Sequence, residues 1–383
     1  MKRYIYADNA ATTKLDTEAF EAMLPWLTEN YGNASQPYFF GKKAAHAIKE
    51  ARQTIAECIN ADPDNIFFTS GGTESDNWAI KCFGASPTDA KIIVVSAIEH
   101  HAILHACKNQ SNVTVIYLPV DKDGIVKEED LVMAFDHSNH PACSRVSHLT
   151  SIMMANNEIG TIMPIKDLAA IAHENGSAFH TDAVQAVGHI PIDVKGLGVD
   201  MLSASAHKFN GPKGIGFFYD SGKHVYPHND GGSQEFGMRA GTENVAGIVG
   251  MAVALKNNCA NLESNMKYIM SLEDYFMDLM EHSGLDFIRN GGRNHIPGNI
   301  NLSFRNADGE AILHRLDLKG ICISTGSACD SVNTQISHVI RAVGIPQEYA
   351  NGTIRISLGK YNTLDDCDSI VEALVRILSL SQK

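Results

Sequence analysis

From about residue 65 the chain alternates short runs rich in β-branched and aromatic residues with longer segments whose apolar positions recur at i, i+3 and i+4. Residues 66–68, 92–95, 113–117 and 151–154 read as strands, being short apolar runs bounded by polar or turn-forming residues. Residues 99–107 and 165–173 between them carry the apolar stripe of amphipathic helices. Residues 178–181, 201–204 and 214–219 add further strands. Strand, helix and strand in repetition imply a mostly parallel sheet flanked by helices, with ligands expected at its carboxyl edge. After Thr242 the pattern turns to long helical stretches, 245–259 and 266–282. The C-terminal part then mixes strands at 300–304, 320–323 and 353–357 with helices at 310–318 and 364–378, the pattern of a smaller α+β domain.

Length agrees with two domains, since 383 residues exceed the size, roughly 250 to 300, at which a single core stops growing. Apolar residues at 44% and charged residues at 20% are near globular averages and argue against disorder or low complexity. A formal charge of -13 with no Lys/Arg-dense stretch argues against nucleic acid and anionic lipid as partners. No window approaches about 18 continuous apolar residues, and the start, Met1-Lys-Arg-Tyr, has no signal-like apolar run. The eight cysteines form no CxxC pair, so neither a zinc cage nor any other metal site is expected, and reduced thiols in a cytoplasmic protein are.

Four segments carry candidate chemistry. In Ser203-Ala-Ser-Ala-His207-Lys208, a lysine follows a buried-looking strand; a lysine amine there could form a Schiff base with a carbonyl cofactor, and Ser205 and His207 could serve a phosphate. Lys213 reads as an ordinary loop lysine. His180-Thr-Asp182 ends the preceding strand and puts a carboxylate on the same edge, as a pyridinium nitrogen requires, although strand-end Asp is as often a turn former. Thr69-Ser-Gly-Gly72-Thr73 leads from a strand into a helix start, whose open N–H groups and positive dipole end suit a phosphate. It matches neither a P-loop nor a dinucleotide fingerprint. Finally, Cys329 lies in the small-residue loop Ser324-Thr-Gly-Ser-Ala-Cys329, where a thiol can both reach a substrate and present what it receives.

In this order the four segments resemble the NifS/IscS type of cysteine desulfurase, within the aminotransferase class V family. The resemblance also takes in Tyr6-Ala-Asp-Asn-Ala-Ala-Thr-Thr13, Asn156-Asn157-Glu-Ile-Gly160, Met238-Arg239-Ala-Gly-Thr242 and Ile354-Arg355-Ile-Ser-Leu-Gly359, nearly the whole chain. It implies an α/β fold of the pyridoxal-phosphate-dependent transferase fold type I. The large domain would span 15–255 with a mostly parallel seven-stranded sheet, and 1–14 with 256–383 would form the small α+β domain. It further implies that Lys208 carries pyridoxal 5'-phosphate, Asp182 pairs with the ring nitrogen, and Gln185 bonds the ring oxygen. Gly72, Thr73, Ser205 and His207 would hold the phosphate, with Thr242 reaching in from the second subunit of a homodimer. His100 would stack on the ring as an acid/base and Asn157 would line the cofactor. Arg355, helped by Asn33, would bind the substrate carboxylate, a task suited to a guanidinium fork.

The activity implied is removal of sulfur from L-cysteine, giving L-alanine and a persulfide on Cys329 for an acceptor protein such as an Fe-S scaffold or a tRNA-thiolation enzyme. A selenocysteine lyase, another class V aminotransferase-fold enzyme and a non-catalytic cofactor-binding scaffold are the alternatives. Two positions depart from the family pattern: Tyr38, where a histidine is common, and Asp330, whose carboxylate beside Cys329 is expected to raise the thiol pKa.

Overall fold

The computed structural model describes residues 4–84, 91–110, 113–135, 147–325 and 336–381. A short strand β1 (Ile5–Tyr6) leads into two helices, Thr17–Thr28 and Phe39–Cys58. Next come β2 (Ile66–Thr69), β3 (Lys91–Ser96), β4 (Val113–Leu118), β5 (Ser147–Ser151), β6 (Ser177–Asp182), β7 (Met201–Ser205) and β8 (Gly216–Asp220). They form one seven-stranded sheet in the order β2-β8-β7-β6-β5-β3-β4, parallel except for β8, which runs against both neighbours. Both faces are apolar, because successive side chains point to opposite sides. Phe67, Ile93, Val95, Leu149, Met201 and Phe218 pack on one side with Trp78, while Phe68, Val94, Phe179, Leu202 and Phe217 pack on the other.

The apolar run 151–154 is not the strand expected of it. β5 lies earlier, at Ser147–Ser151, between β3 and β6. Its hydroxyls explain its polar composition: Thr150 Oγ1 bonds Ser177 Oγ at 3.0 Å and Ser151 Oγ bonds His180 Nδ1 at 2.9 Å inside the core. Ile152, Met153 and Met154 are buried as the chain leaves the sheet at its carboxyl edge, so the apolar run marked burial rather than pairing. The two N-terminal helices, unassigned from the sequence, pack through small residues on the helix Val245–Ala260; a Cβ on Gly250 would lie 2.6 Å from Met23 Sδ.

The C-terminal part contributes β9 (Phe287–Asn290), β10 (Asn299–Phe304), β11 (Ile321–Cys322) and β12 (Thr353–Ser357). β10 pairs antiparallel with β9 and β12, and β11 pairs parallel with β1. Ile5 and Ala7 join a core of their own with Leu272, Phe276, Leu302, Ile354 and Leu374. Beyond β1 the chain crosses to the large sheet, where the Thr13 N–H donates to the His207 carbonyl at 2.9 Å.

The outer edge of β2 is closed by a buried ion pair. Arg52 meets Glu235 in a two-point contact at 2.8 Å and also donates to the Ile66 carbonyl, while Glu235 Oε2 accepts the Phe68 N–H at 2.8 Å. The unpaired backbone groups of an edge strand are thereby satisfied. Replacing Glu235 with Ala strands both the guanidinium and the Phe68 N–H, which is expected to cost about 3–5 kcal/mol. Urea denaturation of Glu235→Ala would show this as a lower midpoint with unchanged slope; a loss below about 1 kcal/mol, the scale of a surface pair, contradicts it.

Candidate active site

The carboxyl ends of four strands deliver the candidate residues to one place. β2 ends at Thr69 and turns through Ser70 and Gly71 into the helix Gly72–Lys81. Gly71 has φ +150, which side chains rarely adopt, and a Cβ on Gly72 would lie 2.5 Å from Val184 Cγ2, so glycine lets the helix start press against the 182–185 turn. Among the described residues no side chain caps that start, which leaves its first N–H groups and the positive dipole end open. Glu74 steadies the turn by accepting the Ser70 N–H at 2.7 Å and pairing with Arg239 at 2.8 Å. Burial would raise Glu74, but Arg239 and Ser70 hold its carboxyl below the usual range.

β6 ends in Asp182, whose Oδ1 accepts the Val184 N–H at 2.9 Å. β7 ends in Ser205 and passes through a 3-10 turn to Lys208, whose Nζ donates to the carbonyls of Ala10 at 2.6 Å and Ala11 at 2.9 Å. After β3, His100 caps the helix His101–Lys108: its Nδ1 accepts the Ala102 N–H at 3.2 Å, which fixes the neutral ring with its proton on Nε2.

A cavity of about 540 Å³, within the roughly 300–1,000 Å³ of small-ligand sites, brings these ends together. Gly72, Thr73, Ser205, His207 and Lys208 line it, as do His100, Asn157, Asp182, Gln185 and Arg355. Two expected residues do not. Asn33 is exposed, with its Oδ1 on the Ser35 N–H at 2.9 Å, and Thr242 lines an open surface cleft with His228 and Gln234. Cys329 and Asp330 lie outside the described residues. Tyr38 is 56% exposed and precedes the helix Phe39–Cys58, away from the cavity wall.

Sequence reasoning gave no role to Asp8, Asp76 or the carbonyls of Ala10 and Ala11. Arg355, 5% exposed, donates to Asp8 Oδ1 at 2.7 Å and to the Asn157 carbonyl at 2.8 Å. The Ala10 carbonyl also accepts from Gln185 Nε2 at 2.9 Å, which orients that amide at the cavity wall. Asp8 stands inside a motif quoted above and Asp76 three residues beyond another, but a motif does not say which carboxylates the fold will bring together.

Burial dominates the electrostatics of the site. Burial pushes Asp182 up to about 6, against the Val184 N–H and the Lys208 charge, which pull it down. Burial, then Lys208 and the neighbouring imidazoles, push His100 down to about 4. Burial and the Lys208 and Lys213 charges likewise take His207 to about 4. Pyridoxal phosphate fits what is present. An uncapped helix start backed by Ser205 and His207 suits its phosphate, Asp182 suits a protonated ring nitrogen, and Lys208 supplies the amine for its aldehyde.

Comparison with known proteins agrees with this geometry. The family pattern described as Aminotransferase class-V matches residues 5–370. The chain is 48% identical to a cysteine desulfurase IscS of Dictyoglomus turgidum, over 99% of this chain and 95% of that one. A cysteine desulfurase IscS of Methanosarcina thermophila is 45% identical, over 98% of this chain and 92% of its own. A solved structure described as a NifS-like protein superposes with a TM-score of 0.90 at 36% identity, covering 99% of this chain and 100% of its own.

In the cofactor-free protein His100 is expected to stay neutral through mildly acidic pH, since protonation would add a charge beside Lys208 and remove the helix cap. Nitrogen-15 NMR of the ring should show a neutral Nε2–H tautomer that titrates near 4, and Lys208→Ala should move the midpoint upward. A wild-type midpoint at the ordinary value of 6.5 contradicts this.

Proposed function

The chain belongs to the aminotransferase class V family, and we propose that it is a cysteine desulfurase that uses pyridoxal 5'-phosphate to take sulfur from L-cysteine, release L-alanine and carry the sulfur as a persulfide on Cys329. One observation carries the reading: Lys208, Asp182 and the uncapped helix start at Gly72 face a single cavity that Arg355 also lines. Gly72, Thr73, Ser205 and His207 would hold the phosphate, Asp182 the ring nitrogen, and Gln185 the ring oxygen through the N–H not used on Ala10. His100 and Asn157, both on the cavity wall, would contact the ring. Thr242, exposed and off the cavity wall, completes the phosphate site of a second copy, which makes a homodimer the active unit.

When bound, the cofactor supplies an electron sink that lets the substrate's Cα proton leave and makes its sulfur electrophilic. Arg355 holds the substrate carboxylate, with Asp8 and the Asn157 carbonyl fixing the plane of the guanidinium and Asn33 assisting. Lys208 Nζ would remove the proton from the substrate's Cα and give a proton back to that carbon once the sulfur has left. His100 Nε2 exchanges protons with the substrate as acid/base. The Cys329 thiolate forms an S–S bond as the substrate's Cβ–S bond breaks, the electron pair passes to the carbon skeleton, and protonation there gives alanine. An acceptor protein, such as an Fe-S scaffold or a tRNA-thiolation enzyme, then collects the sulfur.

Residues 15–255 form the large domain, and 1–14 with 256–383 form the small one, in keeping with the separate core that Ile5 and Ala7 share with Leu272 and Leu374. That boundary falls inside the helix Val245–Ala260, which therefore serves both bodies. Among the described residues no helix is long and apolar enough to cross a membrane, and we assign the protein to the cytoplasm.

The test is product analysis with L-cysteine, pyridoxal phosphate and a reductant. Wild type should release alanine and sulfide in equal amounts, and Cys329→Ala neither. Undiminished turnover by Cys329→Ala would move the protein to another activity of the same fold.

A further inference from the structure

Behind the cavity stands a carboxyl group for which the proposed chemistry has no use. Asp76, one turn into the helix Gly72–Lys81, is 1% exposed and lines the cavity. Its Oδ1 is buried and has no hydrogen-bond partner among the described residues, while the nearby Ser203 hydroxyl favours its anion. One oxygen of Asp76, one of Asp182 and a ring nitrogen of His100 lie within 4.8 Å of one another.

Among the described residues, the groups facing Asp76 give it no positive charge. On β6 they are Asp182 and His180, whose Nε2 is 4.0 Å from Asp76 Oδ1. His180 is committed at both nitrogens, to Ser151 Oγ and Ser203 Oγ at 2.9 Å each, and burial pushes it down to about 3, so it is neutral. From the segment after β3 come His100, also neutral, and Glu99, which bonds Ser96 Oγ at 2.5 Å and the Met153 N–H at 2.9 Å. Two carboxylates this close in a water-poor site cannot both ionise. Asp182 has the Val184 N–H and the Lys208 charge to support an anion, whereas Asp76 is opposed by burial and then by the charge of Asp182. The bare Oδ1 fits the same assignment, because an unpartnered oxygen is far less costly on a neutral acid than on an anion.

We propose that Asp76 is a positioning residue held as a neutral acid, which keeps Asp182 the single carboxylate facing the ring nitrogen of bound pyridoxal phosphate. This rests on the reading that Asp182 holds that nitrogen. Were Asp76 ionised, a second negative charge would compete for the ring proton and tighten its hold. Asparagine has the shape of the neutral acid but cannot ionise, so Asp76→Asn is the discriminating variant.

The experiment is infrared difference spectroscopy of the pyridoxal-phosphate-loaded protein at neutral pH, in H2O and D2O, alongside its visible absorption. Wild type should show the carbonyl stretch of a protonated buried carboxyl that shifts in D2O, and Asp76→Asn should lose that intensity. Burial also raises Glu99, to about 8, so Glu99 contributes its own band and the difference between the two proteins is the measurement. The cofactor's visible band should be unchanged in Asp76→Asn and its affinity within about twofold, since no charge or hydrogen bond to it is lost. Superimposable infrared spectra, or a displaced visible band in Asp76→Asn, overturn the proposal while leaving the cofactor reading intact. A wild type that takes up no pyridoxal phosphate overturns both. Should Asp76→Asn not fold, Glu99→Gln answers the same question: a protonated-carboxyl band that survives it supports Asp76, and none surviving sinks the idea.

Discussion

Lys208 follows the end of β7 in the large sheet and Arg355 stands on β12 of another, and residues 5–13 hold them to one cavity. At one end this segment pairs with β11 and meets β12, whose Ser357 N–H donates to the Ala7 carbonyl at 2.8 Å; at the other the Thr13 N–H binds the His207 carbonyl beside Lys208. In between, the carbonyls of Ala10 and Ala11 accept from Lys208 Nζ, and the carboxylate of Asp8 binds Arg355. One short segment, turned at residues 9–11, therefore sets where the amine and the guanidinium sit relative to each other. Ala10 and Ala11 act through their backbone carbonyls, and both residues line the cavity.

The second constraint is charge. Burial keeps the imidazoles of His100, His180 and His207 neutral and raises Asp76, Glu99 and Asp182. Lys208, Arg355 and Asp182 on this cavity's wall are then charges with a proposed counterpart, the cofactor aldehyde, the substrate carboxylate and the ring nitrogen, and they share the wall with Lys213 and with Glu74, which is paired to Arg239. In a site of low dielectric each of these interactions gains strength, and each stray charge would cost correspondingly more. The open helix start at Gly72 adds a positive end without adding a titratable group.

Much of this was legible in the sequence, for a physical reason: in a parallel sheet functional side chains follow strand ends, and strands with two apolar faces stand out. β2, β3, β6, β7 and β8 were placed within a residue or two, and with them Gly72, His100, Asp182 and Lys208. β5 was misplaced because Thr150 and Ser151 serve an internal hydroxyl network, so its residues carry no apolar signature. The helices Thr17–Thr28 and Phe39–Cys58 were missed because they pack through Ala and Gly rather than large apolar side chains. Asp8 and Asp76 were visible as letters but not as partners, since their roles come from contacts across hundreds of residues or between neighbouring layers. Asn33 and Thr242 came from the family resemblance alone, and neither lies on the cavity wall of this chain.

The account turns on Lys208 being the residue that carries the cofactor, with Lys213 on the same cavity wall as its competitor. Borohydride reduction of the pyridoxal-phosphate-loaded protein, followed by proteolysis and mass spectrometry, tests this directly by fixing the label where it was bound. A pyridoxyl group on the peptide containing Lys208, at Lys208 itself, is the result predicted. Label on Lys213, or on no lysine at all, would contradict the account.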